Sequence, residues 1–477
     1  MITFTLCLLA LIAGYFVYGR IVERVFRPDA NRATPALTKS DGVDFMVLPS
    51  WKIFIIQFLN IAGLGPIFGA IMGAKFGTAS YIWIVLGCIF AGATHDYLSG
   101  MLSLRHDGAS LPEIIGRYLG TTTKQLMRGF SILLLILVGA VFISGPAALL
   151  ASLTPETLDT TFWIIMVFIY YVLATVLPVN KIIGRIYPLF GAALLFMATG
   201  ILIMLYVKSP AIPEFWDQGG MDSLTPELPI FPLMFISIAC GAISGFHATQ
   251  SPLMARCMKN ERLGRPIFYG SMITEGIVAL IWAAAATYFF HESEENLGIS
   301  NAAIVVNDIT HSWLGTVGGV LALLGVIAAP ITSGDTALRS ARLIAADFLH
   351  LEQRSLKKRL LICLPIFGLC LAILWYSTND AEGFNIIWRY FAWANQALAV
   401  FTLWALTVWM YRSRRCYSVT LLPALFMTGV CSTYLFYAPE CLNLSQTVSY
   451  TAGGLCVMVS FVWFMLKART MPQDLAE

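Results

Sequence analysis

Residues 60–69 read NIAGLGPIFG, which sets Gly63, Gly65, Pro66 and Gly69 inside an apolar run from 51 to 73 that is long enough to cross a bilayer. Within a membrane, glycine and proline are tolerated only where the freed backbone groups meet protein or line a polar cavity. A second apolar run, 230–253, carries a comparable interruption, ACGAISGFH at 239–247. Taken singly, each has another explanation: small residues such as Gly65 with Gly69, or Gly63 with Ala70, let two helices approach closely. Taken together, two interrupted segments in corresponding places point to a binding site built on unwound helices.

The chain around them reads as a polytopic membrane protein. Of its 477 residues 58% are hydrophobic and 12% charged, and the mean hydropathy is +0.75, far from the composition of soluble domains. Apolar runs predict about 13 spans. They fall at 2–19, 51–73, 79–102, 129–151, 161–178, 187–207, 230–253, 267–290, 313–334, 358–377, 384–411, 418–437 and 446–467. The first lacks the positive n-region and small-residue cleavage site of a secretory signal, so it is expected to be a retained helix.

Of the 30 Lys and Arg, all but Lys75, Lys208 and Arg389 fall at alternate connections, Lys181, Arg354 and Arg469 included. By the positive-inside rule the N-terminus is expected outside and the C-terminus in the cytoplasm of a bacterial inner membrane. The net charge of +3 is then a topology signal and calls for no nucleic-acid partner. The partners expected are the lipid bilayer and a small-molecule substrate. The 10 cysteines lack any C-x-x-C spacing and read as apolar fillers.

The second and seventh spans lie five helices apart and run in opposite directions by the charge map. This predicts a 5+5 inverted repeat, spans two to six and seven to eleven, and resembles the LeuT-type fold. The domain division expected is 1–50 for an extra helix and linker, 51–228 and 229–416 for the two repeats, and 417–477 for two further helices.

Ionisable groups inside spans are costly and usually serve a pathway. Glu275, about two turns into the eighth span, is expected in a functional or network role. His247, directly after the second break, can bind substrate, relay a proton or satisfy freed carbonyls. Arg389 is either a snorkelling cation or an outer gate that attracts an anion. His95 and Asp96 read as a hydrogen-bonded cluster at a helix end. Asn395 and Gln396 are adjacent, so one of them at most is expected to line a shared cavity. In the ninth span Ala329, Thr332, Ser333 and Asp335 offer a carbonyl, two hydroxyls and a carboxylate, ligands that suit a hard cation. Back-bonded hydroxyls are the alternative reading of the two, and Asp335 can instead titrate or pair with Arg339. The resemblance to the LeuT-type fold, whose sodium-coupled members share this spacing, makes Ala62, Ala329, Thr332 and Ser333 candidates for a sodium site. No resident cofactor is expected; Na+ or H+ would be a coupling ion.

The longer motifs carry a more specific resemblance. GLGPIFGAIMGAKFG, AGATHDYLSGMLSLRHDGASLPEII, IACGAISGFHATQSP, YGSMITEGIVALIWA, TSGDTALRSARLIAADFL and WRYFAWANQALA resemble segments of the carbon starvation protein A family, of the amino acid, polyamine and organocation superfamily. The resemblance implies an inner-membrane uptake carrier of the cellular response to starvation, for peptides or for pyruvate with protons. A carboxylate would then sit at the first break, on amides around Gly63, Leu64 and Gly65 and the positive end of the half-helix starting near Pro66. The substrate-binding candidates are Asn60, Gly63, Leu64, Gly65, Gly241, Ser244, His247 and Asn395. Two other classes stay open: a nutrient sensor without net transport, and an intramembrane enzyme using His247, Glu275 and Asp335. Neither H-E-x-x-H nor G-x-S-x-G nor a Walker A loop is present for the latter.

Overall fold

A computed structural model describes the whole chain except residues 43, 177–182, 227, 300, 352–354, 380–382 and 469–477. The end of the 161–178 span, Lys181, Arg354 and Arg469 lie outside the described residues. The described elements are helical. They comprise α1 (Ile2–Phe26), α2 (Ser50–Ile61), α3 (Gly65–Phe76), α4 (Ala79–Arg105), α5 (Leu111–Leu119), α6 (Thr121–Leu153), α7 (Thr160–Val176) and α8 (Ile183–Lys208). They continue with α9 (Ile230–Ser237), α10 (Gly245–Ala255), α11 (Glu261–Glu292), α12 (Ala302–Leu349), α13 (Leu356–Asn379), α14 (Gly383–Arg412), α15 (Ser418–Tyr437) and α16 (Gln446–Ala468).

Among the described residues ten helices are long and apolar enough to cross a membrane, and α2 with α3 forms an eleventh crossing bent by 54°. The other two predicted spans are the shorter apolar α7 and the interrupted pair α9–α10. Every predicted span therefore has a helical counterpart, and the two interrupted ones stand five crossings apart.

Each break has a local cause. Helix α2 stops because Ala62 adopts φ −77°, ψ 59°, an inverse γ-turn that returns the Gly63 amide to the Ile61 carbonyl at 2.8 Å. A π-helical turn restarts the chain at Gly65, with Pro66 in its first turn, where a missing N–H costs nothing. In the second break Ile243 and Ser244 are extended, and α10 begins at Gly245. The two breaks lie against each other: a Cβ at Gly65 would come within 2.3 Å of both Cβ and Sγ of Cys240. Close packing and interruption are thus one arrangement, because each break supplies the small surface that the other packs on.

Helix α12 departs from expectation. The span 313–334 lies inside a helix that starts at Ala302, turns through a left-handed Gly315 (φ 68°) and runs on to Leu349. Arg339 and Arg342, assigned by the sequence to a connection, stand within it, 1% and 0% exposed. Long apolar flanks and neighbouring helices bury the side chains that a hydropathy window reads as a loop.

The connections sort onto two faces. On the basic face Arg105 bonds Glu261 at 3.0 Å, Arg265 bonds Glu23 at 2.8 Å, and Arg256 reaches the Gly108 carbonyl at 2.9 Å. On the opposite face Lys75 bonds the Leu297 carbonyl at 2.7 Å, and the Thr78 hydroxyl bonds the Gly220 carbonyl at 2.7 Å. Connections that the charge map puts on one side therefore meet one another.

Candidate functional site

Where the two breaks cross, three helices bring four titratable side chains together with no exposed surface. Asp96 of α4 holds His95 Nδ1 at 2.8 Å on one carboxylate oxygen and His247 Nδ1 of α10 at 2.8 Å on the other. The far nitrogen of His247 faces Glu275 of α11 at 3.4 Å, an ion-pair distance. All four residues are 0% exposed. Neither Glu275 oxygen nor His247 Nε2 has a hydrogen-bond partner. His247 therefore stands between two carboxylates, tied firmly to one and loosely to the other.

This corrects the reading of His95 and Asp96 as a helix-end cluster. They lie inside α4, and Asp96 is the group that joins the two histidines. His247 in turn bonds a carboxylate and not a freed carbonyl. The sequence signal was there, a His-Asp pair inside an apolar span, but the partner lies 151 residues away.

The freed groups of the second break go to α14. Asn395 Oδ1 accepts from the Ser244 hydroxyl at 3.0 Å and from the Phe246 amide at 2.7 Å, and Gln396 Nε2 donates to the Ile243 carbonyl at 2.8 Å. Both Asn395 and Gln396 thus serve the second break, through hydrogen bonds to its backbone and to Ser244. Adjacent side chains diverge on a straight partner, but Ile243 and Ser244 are extended, so they offer polar atoms spread along the strand-like turn.

The first break meets α12. Ser333 Oγ donates to the Leu59 carbonyl at 2.7 Å and lies 3.1 Å from the Ala329 carbonyl. Thr332 Oγ1 lies 2.7 Å from the Ala329 carbonyl and 3.3 Å from that of Leu59. Two hydroxyls and two carbonyls of hard-cation type therefore converge at the first break, where a Cβ at Gly63 would come within 3.2 Å of Ser333 Oγ; among the described residues no contact brings Ala62 into the group. The residues present fit a sodium ion, which Leu59, Ala329, Thr332 and Ser333 would hold; Leu59 acts through its backbone, so its side chain gave no signal. In the structure as it stands the hydroxyls satisfy the same carbonyls themselves. Asp335 points elsewhere, accepting from the Tyr170 hydroxyl of α7 at 2.7 Å.

The other candidates divide. The Gly63 amide is committed to Ile61, which removes it from the expected anion cradle. Leu64 is buried and packs toward α6, where a Cβ at Gly145 would meet its Cδ1 at 2.5 Å; Gly241 packs on Ala279 in the same sense, at 2.6 Å. Asn60 is 0% exposed, and both atoms of its amide lack a partner. Arg389 sits apart from all of these, 45% exposed at its side chain, 3.5 Å from Glu440 in the connection before α16.

Comparison with known proteins agrees with this architecture. The family profile described as "Carbon starvation protein CstA" matches residues 1–158, 150–317 and 291–434. An uncharacterized membrane protein of Haemophilus influenzae is 44% identical over 343 residues, 62% of this chain and 92% of that protein. A protein named peptide transporter CstA from Campylobacter jejuni is 27% identical, over 62% of this chain and 51% of that one. The pyruvate/proton symporter BtsT of Escherichia coli is 29% identical, over 56% of this chain and 46% of that one. The chain thus spans about half the length of these two named transporters. Among solved structures, a manganese transporter of Eremococcus coleocola superposes with a TM-score of 0.56 at 12% identity, covering 90% of this chain and 99% of that one. A sodium-coupled sialic acid symporter gives 0.54 at 14%, covering 98% and 99%. At such identities the likeness concerns the fold, which is the LeuT type expected from the paired breaks.

Proposed function

The chain belongs to the carbon starvation protein CstA family, and from that membership we propose that it is an ion-coupled uptake carrier for a small carboxylate-bearing nutrient, pyruvate or a short peptide, working by alternating access. The relatives, a pyruvate/proton symporter and a peptide transporter, support the substrate class. The observation that carries the coupling is the imidazole of His247 on a broken helix, held between Asp96 and Glu275. Burying ions unpaired is expensive, so each proton gained or lost by the cluster changes the balance of charge that the closed bundle must hold. A movement of α10 relative to α4 and α11 would stretch the 3.4 Å contact to Glu275 before the 2.8 Å one to Asp96. Proton release and the opening of one face would then be linked.

A second coupling reading rests on a separate observation, the convergence of Leu59, Ala329, Thr332 and Ser333 oxygens, and would use sodium as the driving ion. With the basic face in the cytoplasm, as the positive-inside rule directs, uptake would proceed toward that face. The test is uptake of labelled pyruvate and of alanyl-alanine by the full chain in proteoliposomes, with proton and sodium gradients imposed separately. A proton gradient is expected to drive accumulation; E275Q should abolish accumulation while retaining exchange of internal for external substrate. Gradient-driven accumulation by E275Q at the wild-type level would overturn proton coupling through this cluster. Uptake indifferent to both gradients would leave facilitated diffusion.

A further inference from the structure

Just beyond the first break, toward the basic face, a small cavity is walled by Ile56, Asn60, Cys257, Thr336, Arg339 and Asp44. Its polar groups come from three separate places. Asn60 is the penultimate residue of α2, and its amide is fully buried without a partner. Arg339 belongs to α12. Asp44 comes from the connection between α1 and α2, which enters the bundle here. Around it Asp41 Oδ1 accepts the Asp44 and Phe45 amides at 3.0 and 2.9 Å, and the Leu48 amide bonds the Cys257 carbonyl at 3.2 Å. The effect is to deliver one carboxylate to two buried guanidinium groups, Arg339 at 3.6 Å and Arg342 at 3.7 Å.

Those distances are informative. Charge-assisted hydrogen bonds to a carboxylate close to about 2.7–2.9 Å, and arginine favours a bidentate fork. Asp44 Oδ1 stays at ion-pair range and takes no hydrogen bond. Arg339 on the wall, which also donates to the Ala174 carbonyl, Arg342 beside Asp44, an unpartnered amide and a carboxylate held at ion-pair range describe a carboxylate site filled by the protein's own side chain. We propose that this cavity is a second carboxylate subsite on the transport path, between the first break and the basic face, and that Asp44 holds it as a stand-in for the cargo's carboxylate, which displaces it in transit. The proposal rests on the reading of the chain as a carrier of carboxylates. A carboxylate free to rotate could close on Arg342 and accept from the Asn60 amide, which Asp44 does not reach.

Cys257, free and 2% exposed, lines the same cavity and serves as the reporter. The full chain in proteoliposomes is treated with an impermeant maleimide on the basic face, and modification of Cys257 is mapped by mass spectrometry with and without pyruvate or alanyl-alanine. In D44A the side chain that fills the site is cut back to a methyl, which opens the cavity to solutes: Cys257 should react about tenfold faster than in the wild type. Pyruvate should slow that reaction again, while its uncharged amide should not. Because protection is read as a ratio within one variant, any change in thiol reactivity caused by the substitution itself cancels. Adding R342Q to D44A should remove the protection. D44S serves the same comparison where D44A does not assemble. Equal protection by pyruvate and its amide, or none by either compound or by the dipeptide, overturns the subsite. Uptake measured on the same preparation separates the two ideas: uptake without protection rejects the subsite alone, and protection by carboxylates without uptake keeps the subsite and rejects the carrier.

Discussion

Gly65 shows how much a single missing side chain decides. Its neighbour across the two breaks is Cys240, and a Cβ built on Gly65 falls 2.3 Å from both the Cβ and the Sγ of that residue. The Sγ can swing away but the Cβ is fixed to the backbone, so G65A must push the breaks apart, and overpacking of this kind costs about 1–3 kcal/mol. Removing the opposing side chain should restore the fit: C240G in the G65A background is expected to recover most of the loss, with a coupling energy above about 1 kcal/mol in the double-mutant cycle. Thermal unfolding of the four proteins in one detergent measures it, and additive effects would mean the breaks do not touch at this point. Uptake by the compensated pair then asks a separate question, whether glycine at 65 is needed for movement once the packing is repaired.

At the scale of elements, α5 and α6 are joined by charge. Glu113 on α5 is paired with Lys124 and Arg128 on α6. Partial burial pushes its carboxyl upward, but the hydrogen bonds from Lys124 and Arg128 outweigh that and hold it below its ordinary value. A carboxylate whose folded value is depressed stabilises the fold fully above its unfolded value, about 4.3, and that contribution disappears as pH falls from there through the folded value. Wild type should therefore melt higher than E113Q by a constant margin from pH 7 to pH 5. The margin should shrink below about pH 4.3. A margin that stays constant to the acid limit of folding would show that the pair contributes through packing alone. The pairing is local in sequence, and so it could be read there. The same holds for the spans, which follow from runs of apolar residues, and for both breaks, which follow from Gly63, Gly65, Pro66 and Gly241. What the sequence left hidden has a common cause. Asp96 meets His247, and Asp44 meets Arg339, between segments far apart in the chain, and Leu59 acts through a carbonyl that every residue possesses. Arg339 and Arg342 were placed in a connection because charge marks an exposed segment only until neighbouring helices cover it.

For the whole molecule the open quantity is direction. The connections divide into a basic face and an opposite face, and the structure ties each set together through its own contacts, Arg105 with Glu261 on one, Lys75 with the Leu297 carbonyl on the other. Lysine and arginine are retained in the cytoplasm during insertion, from which the basic face is expected to lie inward. Two native cysteines report on this without any new residue. Cys416 is exposed on the basic face, in the turn between α14 and α15, and Cys441 is half-buried on the opposite face, between α15 and α16. Burial, with the adjoining Glu440 carboxylate, pushes the Cys441 thiol above its ordinary range, so labelling must be run at alkaline pH, where enough thiolate forms. In right-side-out vesicles an impermeant maleimide should then modify Cys441 and leave Cys416 untouched until the membrane is permeabilised. The reverse order would turn the molecule over. It would also turn over the sequence of events proposed above, because a cargo that reached Arg339 and Arg342 before the breaks would meet the Asp44 carboxylate as a barrier to entry and not as the last group displaced on the way in.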